Sequence, residues 1–263
     1  MITSASNQQI KRVIQLNAKA KSRREEGCFV AEGIKLFRET PAALRDRVFV
    51  EASFAEDDQH REIMEEVRKG SFEVVEDRVF EKMCDTRTPQ GILTIARMPE
   101  YRAEELLGSE GHVPLILVLE DLQDPGNLGT IIRTAEGAGV TGIFMSNKTA
   151  DPFQPKVIRS TMGSIYRVPF IREEDLCARL DWLREREVYA YAAHLKGENS
   201  YNQEDYRKGT AFLIGNEGNG LSDQLAGKAA HLIRIPMEGQ VESLNAAVAA
   251  ALLMYTAHGQ RHA

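Results

Sequence analysis

The residues best suited to chemistry stand where apolar runs end: Asn127 and Arg133, Glu217, and Ser243 with Asn245. Asn127 and Arg133 lie in Glu120–Val140, directly after the apolar run Leu115–Leu119. The stretch reads as strand, polar turn and helix. Asp124-Pro125-Gly126 is turn chemistry, Asn127 falls at a helix N-cap, and Leu128, Ile131, Ile132, Ala135 and Ala138 recur at helical spacing with Arg133 off their stripe. A helix N-terminus offers free N–H groups and a positive dipole end, which suits an anionic group such as a phosphate. Taken alone, the stretch is most cheaply read as a cap plus an ion pair of Arg133 with Glu136 or Glu120.

Glu217 sits in Phe212-Leu-Ile-Gly-Asn-Glu-Gly-Asn-Gly-Leu221, where an apolar strand runs into a loop with Gly215, Gly218 and Gly220. Such a loop admits a ligand close to the backbone at the carboxyl edge of a sheet, where open α/β folds bind ligands. A turn explains the glycines but leaves Glu217 unexplained. Neither a Gly-x-Gly-x-x-Gly fingerprint nor a Gly-Lys-Ser/Thr loop is present, so NAD and ATP are poorly supported. In Leu232–Tyr255 a strand ends at Pro236, a polar loop follows, and Ser243 is placed to cap a helix that begins Leu244-Asn245 and runs without charge from Ala246 to Tyr255. A helix apolar all round belongs in a core or at a subunit interface.

The elements that must carry these residues are those of an α/β protein. Apolar runs at Leu115–Leu119, Gly142–Met145, Val188–Ala193, Ala211–Ile214 and Leu232–Ile235 alternate with helical patterns, as a parallel sheet covered on both faces requires. Shorter strands at Cys28–Ala31, Val48–Val50, Phe72–Val75 and Gly91–Ile95, with intervening helices, make a smaller N-terminal α/β domain. The expected organisation is 1–97, a charged linker 98–113, and 114–263.

A net charge of −6 argues against a wholly basic nucleic-acid binder, yet residues 1–40 carry eight Lys or Arg against four Glu. Lys11, Arg12, Lys19, Lys21, Arg23 and Arg24, on a polar helical stretch over residues 3–24, form a positive face able to meet phosphates. Cys28, Cys84 and Cys177 are odd in number and widely spaced, so neither a disulfide framework nor a thiolate metal site is indicated and a reducing cytoplasm is expected. No signal-type h-region or membrane-spanning run is present. His258 and His262 lie in a polar tail without partner ligands, and no metal is expected.

Together, Asn-Leu-Gly-x-x-x-Arg at 127–133, Gly-Asn-Glu-x-x-Gly at 215–220 and Ser-Leu-Asn at 243–245 resemble the three motifs of the SpoU (TrmH) branch of the SPOUT RNA methyltransferases, in family order. The resemblance covers residues 115–257 and includes Lys156–Ser164 and Arg167-Val-Pro169. It extends over residues 2–95 through Thr3-Ser4, Asn7, Ile10-Lys11, Glu32-Gly33 and Gln90-Gly91.

The resemblance implies a C-terminal domain with a trefoil knot, a homodimer formed through it, and an N-terminal RNA-binding domain. It implies S-adenosylmethionine held at Ala193, His194, Gly197, Gly215, Asn216, Ile235, Met237, Ser243 and Leu244. The implied reaction is methylation of a ribose 2′-hydroxyl in RNA, with Arg133, Asn127, Glu217, Ser243 and Asn245 as the catalytic set. A guanidinium is normally protonated, so Arg133 is expected to grip the adjacent phosphate and position the ribose, with Asn127, Ser243 and Asn245 orienting it and Glu217 fixing Arg133 or the ribose. Large-subunit ribosomal RNA is the first expectation. Transfer RNA, methylation of a base, and a non-catalytic ribosome-assembly role on the same fold stay open.

Overall fold

A computed structural model describes residues 1–263, which divide into two units: Met1–Glu100 with Asp151–Tyr166, and Tyr101–Ala150 with Arg167–Ala263. The second unit is built on the expected parallel sheet. Its strands are β5 (Leu115–Leu119), β6 (Gly142–Ser146), β7 (Phe170–Glu173), β8 (Tyr189–Ala193), β9 (Asn199–Ser200), β10 (Thr210–Ile214) and β11 (His231–Arg234). They form one seven-stranded parallel sheet in the order β7-β6-β5-β10-β8-β11-β9. β5 and β10 are neighbours and are buried at every position. That is why both read as unbroken apolar runs: helices cover both faces of a parallel sheet, so no position alternates out to water. The sequence pattern misses β7, four residues of which two are charged, mostly half-buried at the sheet edge, and β9, which is two residues long.

The helix Pro125–Ala138 follows β5, and the C-terminal helix Ala246–Arg261 packs against it. They approach closely at Gly137, where an added Cβ would lie 3.0 Å from the Tyr255 hydroxyl. At the far end of the C-terminal helix, the Arg261 guanidinium donates to the carbonyls of Tyr206, Lys208, Val113 and Pro114, tying the helix to the entries of β5 and β10. Of the two places its composition allows, the core or a subunit interface, the chain itself covers only one face of this helix. Ala247, Ala250, Leu253, Met254 and Ala257 are buried, while Val248 and Tyr255 are 49% and 50% exposed.

The stretch expected to be a linker differs too. Ala103–Leu107 forms a 3₁₀ turn whose Leu106 is fully buried, and an added Cβ on Gly142 would lie 2.4 Å from its side chain. The unit therefore begins at Tyr101.

In the first unit, β1 (Cys28–Glu32), β2 (Arg45–Glu51), β3 (Phe72–Val75) and β4 (Ile92–Arg97) form a four-stranded mixed sheet in the order β1-β4-β2-β3. One face packs under Ile10, Val13, Leu16, Val79 and Phe80, the other against Phe37, Phe54, Ile63 and Met64. The helical stretch over residues 3–24 is two helices, Gln8–Ala18 and Ala20–Glu26, broken by extended backbone at Lys19. Residues 151–166, which the sequence places with the C-terminal half, belong to this unit: Phe153 packs against Phe29 in a tilted pair with ring centroids 4.9 Å apart, and Tyr166 hydrogen bonds Thr40.

Candidate active site

The polar residues of the three sequence stretches lie at the carboxyl ends of β5, β10 and β11, all in the second unit. The helix after β5 starts at Pro125, one turn earlier than its pattern suggests. Asp124, not Asn127, is the cap: its carboxylate accepts the Asn127 backbone N–H at 2.8 Å. This frees the Asn127 side chain, half-buried in the first turn, for other work.

Glu217 organises that turn. Oε2 accepts the N–H of Gln123 at 2.9 Å, and Oε1 accepts the N–H of Asp124 at 2.9 Å and Nδ2 of Asn127 at 3.0 Å. Burial alone would raise the Glu217 carboxyl, but the donors from Gln123, Asn127 and Asp124 outweigh it and hold the group below its ordinary value. Glu217 thus fixes the β5 turn and Asn127, and makes no bond to Arg133.

Asn127 is gripped from the other side. Its Oδ1 accepts Nδ2 of Asn245 at 2.9 Å, while Asn245 Oδ1 accepts the backbone N–H groups of Ala247 and Val248. Asn245 is thus the cap of the C-terminal helix, a role the sequence assigned to Ser243; Ser243 itself is exposed and makes no hydrogen bond. The reason is geometric. The residue just before Ala246 is the one whose side chain reaches the second and third helical N–H groups. The chain Glu217–Asn127–Asn245 joins three loops, and each amide keeps one N–H for an outside acceptor.

Arg133 stands two turns into the same helix, exposed, and no hydrogen bond or ion pair holds its guanidinium. The ion pairs weighed for it are taken elsewhere: Glu136 binds Arg167, and Glu120 accepts from Ser222.

The loop after β10 must be glycine at 215, where a Cβ would lie 2.2 Å from the backbone of Gly220. Asn216 Oδ1 accepts the N–H groups of Gly218 and Asn219, and its Nδ2 donates to the Asp121 carbonyl at 2.8 Å. After β8, Ala193 and His194 are half-buried, and His194 donates its N–H to Ile233. Gly197 lies against the backbone of Ile233 and Arg234. After β11, Ile235, Met237 and Leu244 are half-buried, and the backbone of Met237–Leu244 makes no hydrogen bond within the chain. Apolar flanks beside unpaired backbone donors and acceptors suit a ligand with an apolar face and polar edges.

The basic N-terminal set is corrected in part. Arg23 is buried, bound to Asp151 at 2.6 Å and to the carbonyls of Leu16 and Asn17. Arg12 pairs with Glu26 at 2.6 Å and Asp46 at 2.9 Å. Both build the unit's structure. Lys11, Lys19, Lys21 and Arg24 are exposed, Lys21 within 3.7 Å of Glu25.

The model of the SpoU rRNA methylase family matches residues 114–255, and that of the MRM3-like substrate binding domain matches 7–94. The chain is 34% identical over 258 residues to the 23S rRNA (guanosine(2553)-2′-O)-methyltransferase RlmP of Bacillus subtilis (strain 168), covering 98% of this chain and 99% of that protein. The chain belongs to the SpoU rRNA methylase family. Among solved structures, an AdoMet-bound rRNA methyltransferase from Sinorhizobium meliloti superposes with a TM-score of 0.86 at 32% identity, over 99% of this chain and 97% of that one. An RNA 2′-O ribose methyltransferase superposes at 0.81 with 29% identity, over 100% and 99%. Asp121, Gln123 and Asp124 lie outside the three motifs, yet they hold Asn216, Glu217 and the Asn127 backbone in this strand-end cluster.

Proposed function

We propose that this SpoU-family protein transfers the methyl group of S-adenosylmethionine to a ribose 2′-hydroxyl of large-subunit ribosomal RNA. The observation that carries the reading is the Glu217–Asn127–Asn245 chain, which orders the start of the helix that further along bears a free, exposed Arg133. A structural ion pair or a simple helix cap would not leave an arginine unpartnered on the same helix whose first turn holds an amide with a spare donor. The likeness to RlmP over nearly the whole of both chains makes the guanosine in that relative's name the first nucleotide to examine.

The residues present fit S-adenosylmethionine, which supplies an electrophilic methyl on a sulfonium. The unpaired backbone of Met237–Leu244 would take its polar edges, Ile235 and Leu244 would flank it, and the loops at Ala193–His194, Gly197 and Gly215-Asn216 would close around it. Arg133 grips the phosphate next to the target ribose with its planar fork, and so holds the 2′-oxygen in line. The spare N–H groups of Asn127 and Asn245 orient that oxygen, and Ser243 at the open loop adds a hydroxyl within the same strand-end cluster. On the first unit, Lys11, Lys19, Lys21 and Arg24 meet RNA phosphates.

The apolar outer face of the C-terminal helix, with Val248 and Tyr255 exposed and Ala251 and Leu252 half-buried, supports a homodimer, and its packing beside Gly137 brings it to the helix face that also bears Arg133, one turn earlier. No helix is long and apolar enough to cross a membrane. A cytoplasmic site of action follows from the proposed ribosomal substrate, and the knot belongs to the same reading.

The test is transfer of labelled methyl to total RNA lacking this modification, followed by nuclease digestion and nucleoside mass spectrometry, with Arg133→Ala as control. A 2′-O-methylated nucleoside in 23S rRNA, formed only by the intact protein, is expected. Label confined to tRNA or to a base would redirect the substrate. Cofactor binding with no label on any RNA would overturn the enzymatic reading.

A further inference from the structure

Asp121 lies outside the three motifs, in the turn after β5, yet it is tightly constrained. Its φ is +53°, in the left-handed region that side chains other than glycine adopt at an energetic penalty. Five contacts hold it there. Its N–H donates to Ser146 Oγ at 2.9 Å, and that hydroxyl donates back to Asp121 Oδ1 at 2.7 Å. Lys148 Nζ lies 3.6 Å from Oδ2. The Asp121 carbonyl accepts from Asn216 Nδ2 at 2.8 Å and from Gln123 Nε2 at 3.0 Å. The same Gln123 amide also donates to the Lys148 carbonyl at 2.7 Å. Loops after β6 and β10 therefore converge on one strained residue, two positions before the first N–H that Glu217 accepts.

We propose that Asp121 is a positioning residue for methyl transfer: its locked left-handed turn aims the N–H groups of Gln123 and Asp124 at Glu217, and thereby sets Asn127. The proposal rests on the methyltransferase reading for its kinetic consequence. The physical argument is directional. Return of residue 121 to extended or right-handed backbone would turn the following peptides away from Glu217, and the carboxylate would lose donors on both oxygens. Glycine would supply the conformation and keep the three backbone contacts, but would lose the two that only the carboxylate makes, the bond from the Ser146 hydroxyl and the ion pair with Lys148. Asparagine would keep most of both, since it tolerates the left-handed region and retains an acceptor oxygen for the Ser146 hydroxyl.

The experiment uses the full chain, with rRNA lacking the modification as substrate. It compares Asp121→Ala, Asp121→Asn, Glu217→Gln and the double variant Asp121→Ala with Glu217→Gln, each checked for its thermal midpoint. Asp121→Ala is expected to lower kcat about tenfold with KM for RNA little changed, Asp121→Asn to restore most of it, and the double variant to fall little below Glu217→Gln alone, as for residues acting through one network. Hydrogen exchange at the Gln123 and Asp124 amides should quicken in Asp121→Ala. Additive losses in the double variant, equal impairment by alanine and asparagine, or unchanged amide exchange would each overturn the proposal. A wild-type protein that transfers no methyl group would instead overturn the enzymatic reading, and the amide exchange would still decide the role of Asp121.

Discussion

Replacing Glu217 by glutamine keeps the side chain's size and one carbonyl oxygen, and removes one acceptor and the charge. With the glutamine oxygen in the Oε1 place, the donors from Asp124 and Asn127 keep neutral partners, while the amide NH₂ faces the Gln123 N–H, donor against donor. A hydrogen bond to a charged group contributes about 1.5–3 kcal/mol and a neutral one about 1 kcal/mol. Because Glu217 is solvent-accessible, the low end applies: a loss of about 2 kcal/mol in the order of the β5 turn, or roughly thirtyfold in kcat if transfer requires the ordered turn. The thermal midpoint should fall by no more than a few degrees, since the loss is confined to the turn and no core packing changes. The assay is single-turnover methyl transfer at saturating cofactor and RNA. A rate within about twofold of wild type would refute the claim that the acceptor set on Glu217 positions Asn127 for the reaction. The pH dependence gives a second check. The donors depress the folded-state value of Glu217 below 4.5, so its contribution is complete above 4.5 and is lost only as pH falls through the folded value. The ratio of wild-type to Glu217→Gln rates should therefore be constant from about pH 5 to 8 and shrink only in stronger acid.

Arg133→Lys should lower kcat by roughly 10- to 100-fold without shifting the thermal midpoint, because the guanidinium has no partner in the chain and an ammonium cannot reproduce its fork; near-normal turnover would rule out bidentate positioning. Arg23→Met should destabilise the first unit by about 3–5 kcal/mol in urea unfolding, since it strands Asp151 and two carbonyls. Charge reversal at Lys11, Lys19 and Arg24 should instead leave stability intact and flatten the salt dependence of RNA binding; the opposite pattern would reassign both groups. Gly215→Ala should destabilise the second unit by about 3 kcal/mol, because the new Cβ meets backbone at 2.2 Å and the backbone cannot yield as a side chain would. A thermal midpoint like that of wild type would show the loop to be looser than its geometry.

What was legible in the sequence and what was not divide along one physical line. The central strands β5 and β10 announce themselves because burial on both faces demands apolar residues at every position, and the helix after β5 because its stripe of Leu128, Ile131, Ile132 and Ala135 has no other use. Edge strands β7 and β9 carry no such demand and were silent. Among the polar residues, identity was legible but occupation was not. Asn127, Arg133, Glu217 and Asn245 were singled out, yet only coordinates show that Asp124 takes the cap, that Asn245 and not Ser243 heads the last helix, and that Arg23 and Arg12 are tied up within their own unit. One residue displaced along a turn exchanges a cap for a free amide, and no pattern of residue types reports that.

The same distinction bears on how the site works. Arg133 can meet a phosphate because Glu136 and Glu120, both near enough in sequence to neutralise it, are bound to Arg167 and Ser222. Asn127 can orient an outside oxygen because Asp124 relieves it of the helix end and Glu217 and Asn245 fix its amide from both sides. In each case the group offered to substrate is left over after a neighbouring residue has satisfied the local structural need. A substitution that returns such a neighbour's partner to the pool, as Arg167→Ala would for Glu136, should reduce turnover by recapturing Arg133 on the helix surface, with wild-type rates in that variant as the result that would sink the argument.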